Sequence, residues 1–116
     1  MNHHTFIQKT TDYIEAHLDE NLSLDRLARE LNYSKFYLAR TFREETGCTI
    51  YKYIQGRRLS LAAQKLAKTG KPIVEIAYEA NYNSQQAFTL AFQRLYHCTP
   101  QVYRKKGGMM GGQMAA

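Results

Sequence analysis

Apolar residues recur along this chain at helical spacing, broken at regular places by small polar residues and glycine. Ile7, Ile14 and Leu18 fall seven and four apart, with Phe6 and Tyr13 beside them, and predict a first helix over residues 5–18. Asp19-Glu20-Asn21 ends it. Ser23 is a good N-cap, and Asp25 suits a first turn, where the helix dipole favours an anion. Leu24, Leu27, Ala28 and Leu31 give the stripe of a short second helix, and Asn32-Tyr33 makes a turn. Ser34 caps a third helix running to about residue 45, with Leu38 and Phe42 inward and Gly47 as its C′ residue. Thr49 caps a long middle helix over residues 49–69, where Ile50, Ile54 and Leu61 mark one side and Leu59, Ala62, Ala63 and Leu66 continue the stripe. Gly56 interrupts it, at about 1 kcal/mol relative to Ala, and marks either close packing of another backbone or a kink. Pro72 opens a fifth helix with Ile73, Ile76, Ala77 and Ala80 as its core face, and Asn81-Tyr82-Asn83 is the next turn. Ser84 caps a sixth helix to about residue 96, with Phe88, Phe92 and Leu95 expected inside. Thr99-Pro100 starts a last helical turn, with Val102 and Tyr103 packing back. The pattern is all-α.

The second half repeats the first. Ala28, Asn32 and Tyr33 recur as Ala77, Asn81 and Tyr82, an offset of 49 residues. One residue enters near Asn83, after which Ser34, Phe42, Cys48, Thr49 and Tyr53 recur as Ser84, Phe92, Cys98, Thr99 and Tyr103, an offset of 50. One supersecondary unit is therefore used twice. A short helix, a tight turn and a second helix with an apolar back and a polar front form a helix-turn-helix, whose second helix suits a DNA major groove. The middle helix would set the distance between the copies. Some 20 residues at 1.5 Å each span roughly 30 Å, close to the ~34 Å of one turn of B-DNA.

Charge sharpens this picture. The chain carries a net +6, unevenly placed: residues 1–30 hold three basic and six acidic residues, and residues 31–72 nine basic and two acidic. A basic centre beside an acidic end is an electrostatic footprint for a polyanion, although the same charges also suit a solvated face. At 116 residues the chain fits one domain with a modest core. No apolar run approaches the roughly 18–20 residues that span a membrane, and Met1-Asn2-His3-His4 lacks the features of a signal peptide, so the expected location is the cytoplasm. Cys48 and Cys98 sit at equivalent places in the repeat and are expected as small, reduced core residues. Residues 107–116 are uncharged, low in complexity and outside the fold, either an expression scar or the start of a linker.

Two outward faces carry the candidate chemistry. On the third helix Lys35, Phe36, Ala39, Arg40 and Arg43 face away from the core; Arg can pair with guanine O6 and N7, and Phe36 can meet a thymine methyl. On the sixth helix Gln85, Gln86, Thr89, Leu90 and Gln93 form a neutral face, and Gln suits adenine N6 and N7. Each face alone could be merely solvated; their matching places in the repeat favour base reading. Ser34 and Ser84 head these helices, where backbone N–H groups also bind phosphate. Lys52, Arg57 and Arg58 are candidate phosphate contacts, or helix-packing residues in the case of the two arginines. His3, His4, His17 and His97 show no metal-ligand spacing, and no CxxC, HExxH, GxGxxG or P-loop motif occurs, so neither catalysis nor a cofactor nor a metal is expected. A helical protein–protein module, using the acidic first helix and the basic centre, is the alternative.

The spaced segments Ser34-Lys35-Phe36-Tyr37-Leu38-Ala39-Arg40-Thr41-Phe42, Arg57-Arg58-Leu59 with Ala62 and Leu66, Pro72-Ile73-Val74-Glu75-Ile76-Ala77, Asn81-Tyr82, Ser84-Gln85-Gln86 and Thr99-Pro100-Gln101-Val102-Tyr103-Arg104 resemble the DNA-binding domain of the AraC/XylS transcription regulators, in the style of the MarA, SoxS and Rob group. The resemblance spans residues 5–106. It implies seven helices in two homeodomain-like helix-turn-helix units, about residues 5–48 and 71–104 of a domain covering 1–106. It also implies reading of adjacent major-groove segments of promoter DNA, and activation through RNA polymerase. In that group an aromatic, a Gln and an Arg stand at the places of Phe36, Ala39 and Arg40; Ala39 has lost the polar head. Leu90 stands where the group often has Arg, and His97 replaces a small or acidic residue. Two reading units in one chain make dimerisation unnecessary for binding. Such a short chain has no separate sensory domain: either abundance controls it, or a sensory domain follows Lys106 in a longer protein.

Overall fold

The computed structural model describes residues 3–107. Seven helices follow one another among them: α1 (His3–Ala16), α2 (Leu24–Leu31), α3 (Lys35–Thr46), α4 (Ile50–Lys68), α5 (Ile73–Glu79), α6 (Gln85–Tyr96) and α7 (Pro100–Lys105). They form two compact units that divide between Gln55 and Gly56, inside α4. The low-complexity stretch beyond Gly107 lies outside the described residues.

Unit one closes around Phe6, Ile14, Leu27, Leu31, Leu38, Phe42, Ile50 and Ile54, all buried. The inward row of α1 is Phe6, Thr10 and Ile14, spaced by four, rather than the expected row through Ile7, which is half-buried. Thr10 fits that row because its hydroxyl donates to the Phe6 carbonyl at 2.8 Å, leaving only its methyl to the core. Phe6 meets the rings of Tyr33 and Tyr37 edge-on at 5.0 and 5.5 Å, which fixes α1 against the turn between α2 and α3. Lys9 donates to the Leu31 carbonyl at 3.2 Å, satisfying an acceptor at the end of α2.

Unit two packs Leu59, Ala62, Ala63 and Leu66 of α4 against Ile76, Ala77, Phe88, Phe92, Tyr96 and Tyr103. Tyr96 takes the inward place expected for Leu95, which is 38% exposed. The physical reason is α7: Tyr103 meets Phe92 at 5.4 Å and Tyr96 at 5.3 Å, so the apolar stripe of α6 follows every fourth residue toward it. Val102, expected to pack back, faces out on the other side of α7. Glu79 accepts from Lys65 at 2.8 Å and Lys71 at 2.9 Å, and these two ammonium groups hold its carboxyl below the usual range. Arg104 donates to the carbonyls of Leu66 and Thr69 at 3.0 and 3.2 Å, covering acceptors left open where α4 ends. Cys98 packs on this core as a small side chain; Cys48 is half-buried, and both are free thiols.

The duplication extends to backbone conformation. Asn32 and Asn81, equivalent in the repeat, both adopt left-handed geometry with φ of 62° and 67°. Gly47 and His97, also equivalent, both end their helices there, with φ of 80° and 64°. Glycine takes this conformation freely, whereas a side chain such as His pays a steric penalty. His97→Gly is therefore expected to stabilise unit two by about 1 kcal/mol, read from the urea midpoint at constant slope. At Gly56 the expectation of close backbone packing fails: a Cβ built there meets nothing within 4 Å, and α4 runs through it as one helix.

Candidate nucleic-acid interface

In unit one, the capping geometry decides which face of α3 is presented. The Ser34 hydroxyl accepts from the Tyr37 N–H at 3.1 Å and fixes the start of the helix. Leu38, Thr41 and Phe42 turn inward, and Lys35, Phe36, Ala39, Arg40 and Arg43 are all exposed together on the opposite side. Phe36 is 72% exposed, and a single apolar ring on a surface is ordinary, so its neighbours decide what it can do. The Arg40 guanidinium lies 5.0 Å from the centre of that ring. This cation–π contact narrows the conformations of Arg40 before any partner arrives.

Lys35 behaves differently from its neighbours. Its Nζ sits 2.8 Å from a carboxylate oxygen of Asp25 on α2. That hydrogen bond, with the attraction of the opposite charge, lowers the Asp25 carboxyl and raises the Lys35 ammonium. In sequence Asp25 is visible only as a helix-dipole anion. The pairing joins two helices, which no spacing within one helix displays. An exposed pair of this kind adds little stability.

In unit two, the Ser84 hydroxyl accepts from the Ala87 N–H at 3.1 Å, repeating the Ser34 cap. Phe88 and Phe92 are fully buried, while Gln85, Gln86, Leu90 and Gln93 are exposed and Thr89 is half-buried. All five expected residues thus share the face away from the core, with Leu90 at 54% exposure as its apolar member.

The basic centre is not uniform in exposure. Lys52 is exposed on the first turn of α4, where Thr49 caps the helix by accepting from the Lys52 N–H at 3.1 Å. Arg57 and Arg58 are half-buried. Burial pushes the Arg58 guanidinium below its ordinary value, with Tyr82 nearby acting the other way; burial likewise pushes the Tyr96 phenol up, against weaker opposing effects of Ser60 and Arg57. Lys65 and Lys71 are tied to Glu79. Among the described residues no group of three or more His, Cys, Asp or Glu could hold a metal ion, and no helix is long and apolar enough to cross a membrane.

Two units, each with a serine-capped helix that buries an aromatic back and exposes a polar front, define a duplicated helix-turn-helix protein. Residues 27–106 match the family model described as a helix-turn-helix domain. The chain is 42% identical over 106 residues to the regulatory protein SoxS of Salmonella typhimurium, covering 91% of this chain and 99% of that protein. It is 45% identical over 93 residues to the transcriptional regulator Rob of Salmonella typhimurium, covering 80% of this chain and 32% of Rob, so it spans about a third of that relative. A transcriptional regulator with an AraC-type DNA-binding domain from Chromobacterium violaceum superposes with a TM-score of 0.84 at 28% identity, over 90% of this chain and 94% of that one. The chain belongs to the AraC/XylS family of helix-turn-helix transcription regulators, in the branch that includes SoxS and Rob. That family is one of DNA-binding regulators and not of enzymes.

Proposed function

We propose that this chain binds double-stranded promoter DNA sequence-specifically and activates transcription, with α3 and α6 entering adjacent major-groove segments. The observation that carries the reading is the pair of equivalent exposed faces, each set on a serine-capped helix above its own core. In this assignment Arg40, Arg43, Lys35 and Phe36 read bases from α3, with Ala39 as a small apolar contact. Gln85, Gln86, Thr89, Leu90 and Gln93 read from α6, Leu90 against a thymine methyl. Lys52 and the helix starts at Ser34 and Ser84 hold phosphates. Arg57 and Arg58 serve helix packing in preference to phosphate contact. The two reading units lie at about residues 5–48 and 71–104 of a domain covering 1–106, and a single chain suffices for binding. Its place of action is the cytoplasm, and its partner beyond DNA is RNA polymerase, as the family resemblance implies.

Selection from a randomised duplex pool tests this reading: enrichment of one extended site, with two conserved blocks, is expected. Failure to bind any duplex at low salt would sink it. Lys52→Ala is expected to weaken binding to all duplexes alike and to reduce the slope of log K against log salt by about 1, without changing the selected sequence. Titrations at several salt concentrations check this.

A further inference from the structure

One feature of unit one is not explained by reading from α3 alone. A largely apolar cavity of about 320 Å³ opens beside Ala39, between Leu24 at the start of α2 and Thr49, Ile50, Tyr51 and Ile54 at the start of α4. Lys35 and Ala39, four residues apart, form one edge of the exposed face of α3, and Phe36 and Arg40 form the other. Ala39 is the one small residue in this set, so the face has a notch on that edge, and the notch leads to Tyr51. Tyr51 is 70% exposed although it neighbours Ile50 and Ile54, which are buried. The Gln55 side-chain amide donates to the Tyr51 hydroxyl at 2.6 Å. With its oxygen already accepting, the phenol has its own proton left to donate outward.

A helix with its side chains is about 10–12 Å across, and the major groove is about 12 Å wide. An element flanking the inserted helix therefore meets the sugar–phosphate strand that walls the groove, and not base edges. We propose that Tyr51 is a backbone clamp for duplex DNA: its O–H donates to a phosphate oxygen while its ring and the notch at Ala39 receive the adjoining deoxyribose. Lys52, exposed on the same turn, supplies charge to the same strand. The contact sets the depth of α3 in the groove without reading sequence. The inference rests on entry of α3 into the groove.

Tyr51→Phe keeps the ring and removes the donor. Against the selected duplex and a scrambled one, it is expected to weaken binding by about fivefold to tenfold on both. The slope of log K against log salt should stay as in the parent chain, because a neutral phenol releases no counterion; Lys52→Ala in parallel lowers that slope. Tyr51→Ala should lose at least as much affinity as Tyr51→Phe, with unchanged helicity. Unaltered affinity in both variants, a changed salt slope in Tyr51→Phe, or a loss confined to one base step would each overturn the clamp. Arg40→Ala in the same titrations separates the two levels: if Arg40 matters and Tyr51 does not, the clamp alone fails. If neither matters, the reading of α3 as the groove-entering helix fails with it.

Discussion

Replacing Arg40 by Ala is expected to flatten base preference at one step of the target, at a cost of about 1–3 kcal/mol in discrimination. Arg40 is exposed on α3, on the Phe36 edge of the residues that face away from the Leu38–Phe42 core, and held 5.0 Å above the Phe36 ring. A guanidinium held in one region pairs with both acceptors of a guanine at little further entropic cost, which is why the effect should be concentrated at one base pair. Competition of single-base variants of the selected duplex measures it. A uniform loss over all variants would instead make Arg40 a phosphate contact. Phe36→Ala should produce a smaller effect of the same kind, because it removes the platform as well as an apolar contact.

Phe92→Ala should be the most destabilising single change, at about 3–5 kcal/mol. Phe92 is fully buried and touches three rings: Tyr96 stacked at 4.5 Å, Tyr103 edge-on at 5.4 Å and Phe88 at 5.7 Å. Its removal opens a cavity where α6 meets α7. Because the unit-two cluster contains residues from Leu59 to Tyr103 and none from α1–α3, the loss should fall on that unit. Amide exchange is expected to accelerate through α5–α7 while α1–α3 keep their protection, and the protected stretch of DNA should shrink to the part contacted by α3. Simultaneous loss of protection throughout the chain would show that the two units melt as one.

Much of this was legible because the determinants are local. Ser23, Ser34, Ser84 and Thr99 cap the helices they were expected to cap, each accepting from the backbone N–H three residues on. Leu38/Phe42 and Phe88/Phe92 fix the inward sides of α3 and α6 by spacing alone, and the repeat puts the two outward faces at equivalent places. Where expectation failed, a second element decided the outcome. Leu95 and Tyr96 are adjacent candidates for one stripe, and only the position of Tyr103 chooses between them. Thr10 looks polar in sequence until its hydroxyl is seen to be satisfied within its own helix turn. Gly56 suggested a close approach, yet the space beside it is open. The Lys35–Asp25 pair and the Gln55-supported Tyr51 hydroxyl both join side chains whose meeting depends on packing or rotamer choice. His97 was within reach: the 50-residue offset maps it onto Gly47, a residue already recognised as a helix terminator.

The two fronts differ in chemistry: α3 carries guanidinium and ammonium groups, whereas α6 carries amides, a hydroxyl and Leu90. In the proposed complex the ionic hold on the phosphate strands is blind to sequence, so dissolved salt weakens every target by one common factor. Salinity then acts as a volume control, emptying the poorest matches first while leaving the order of the targets untouched.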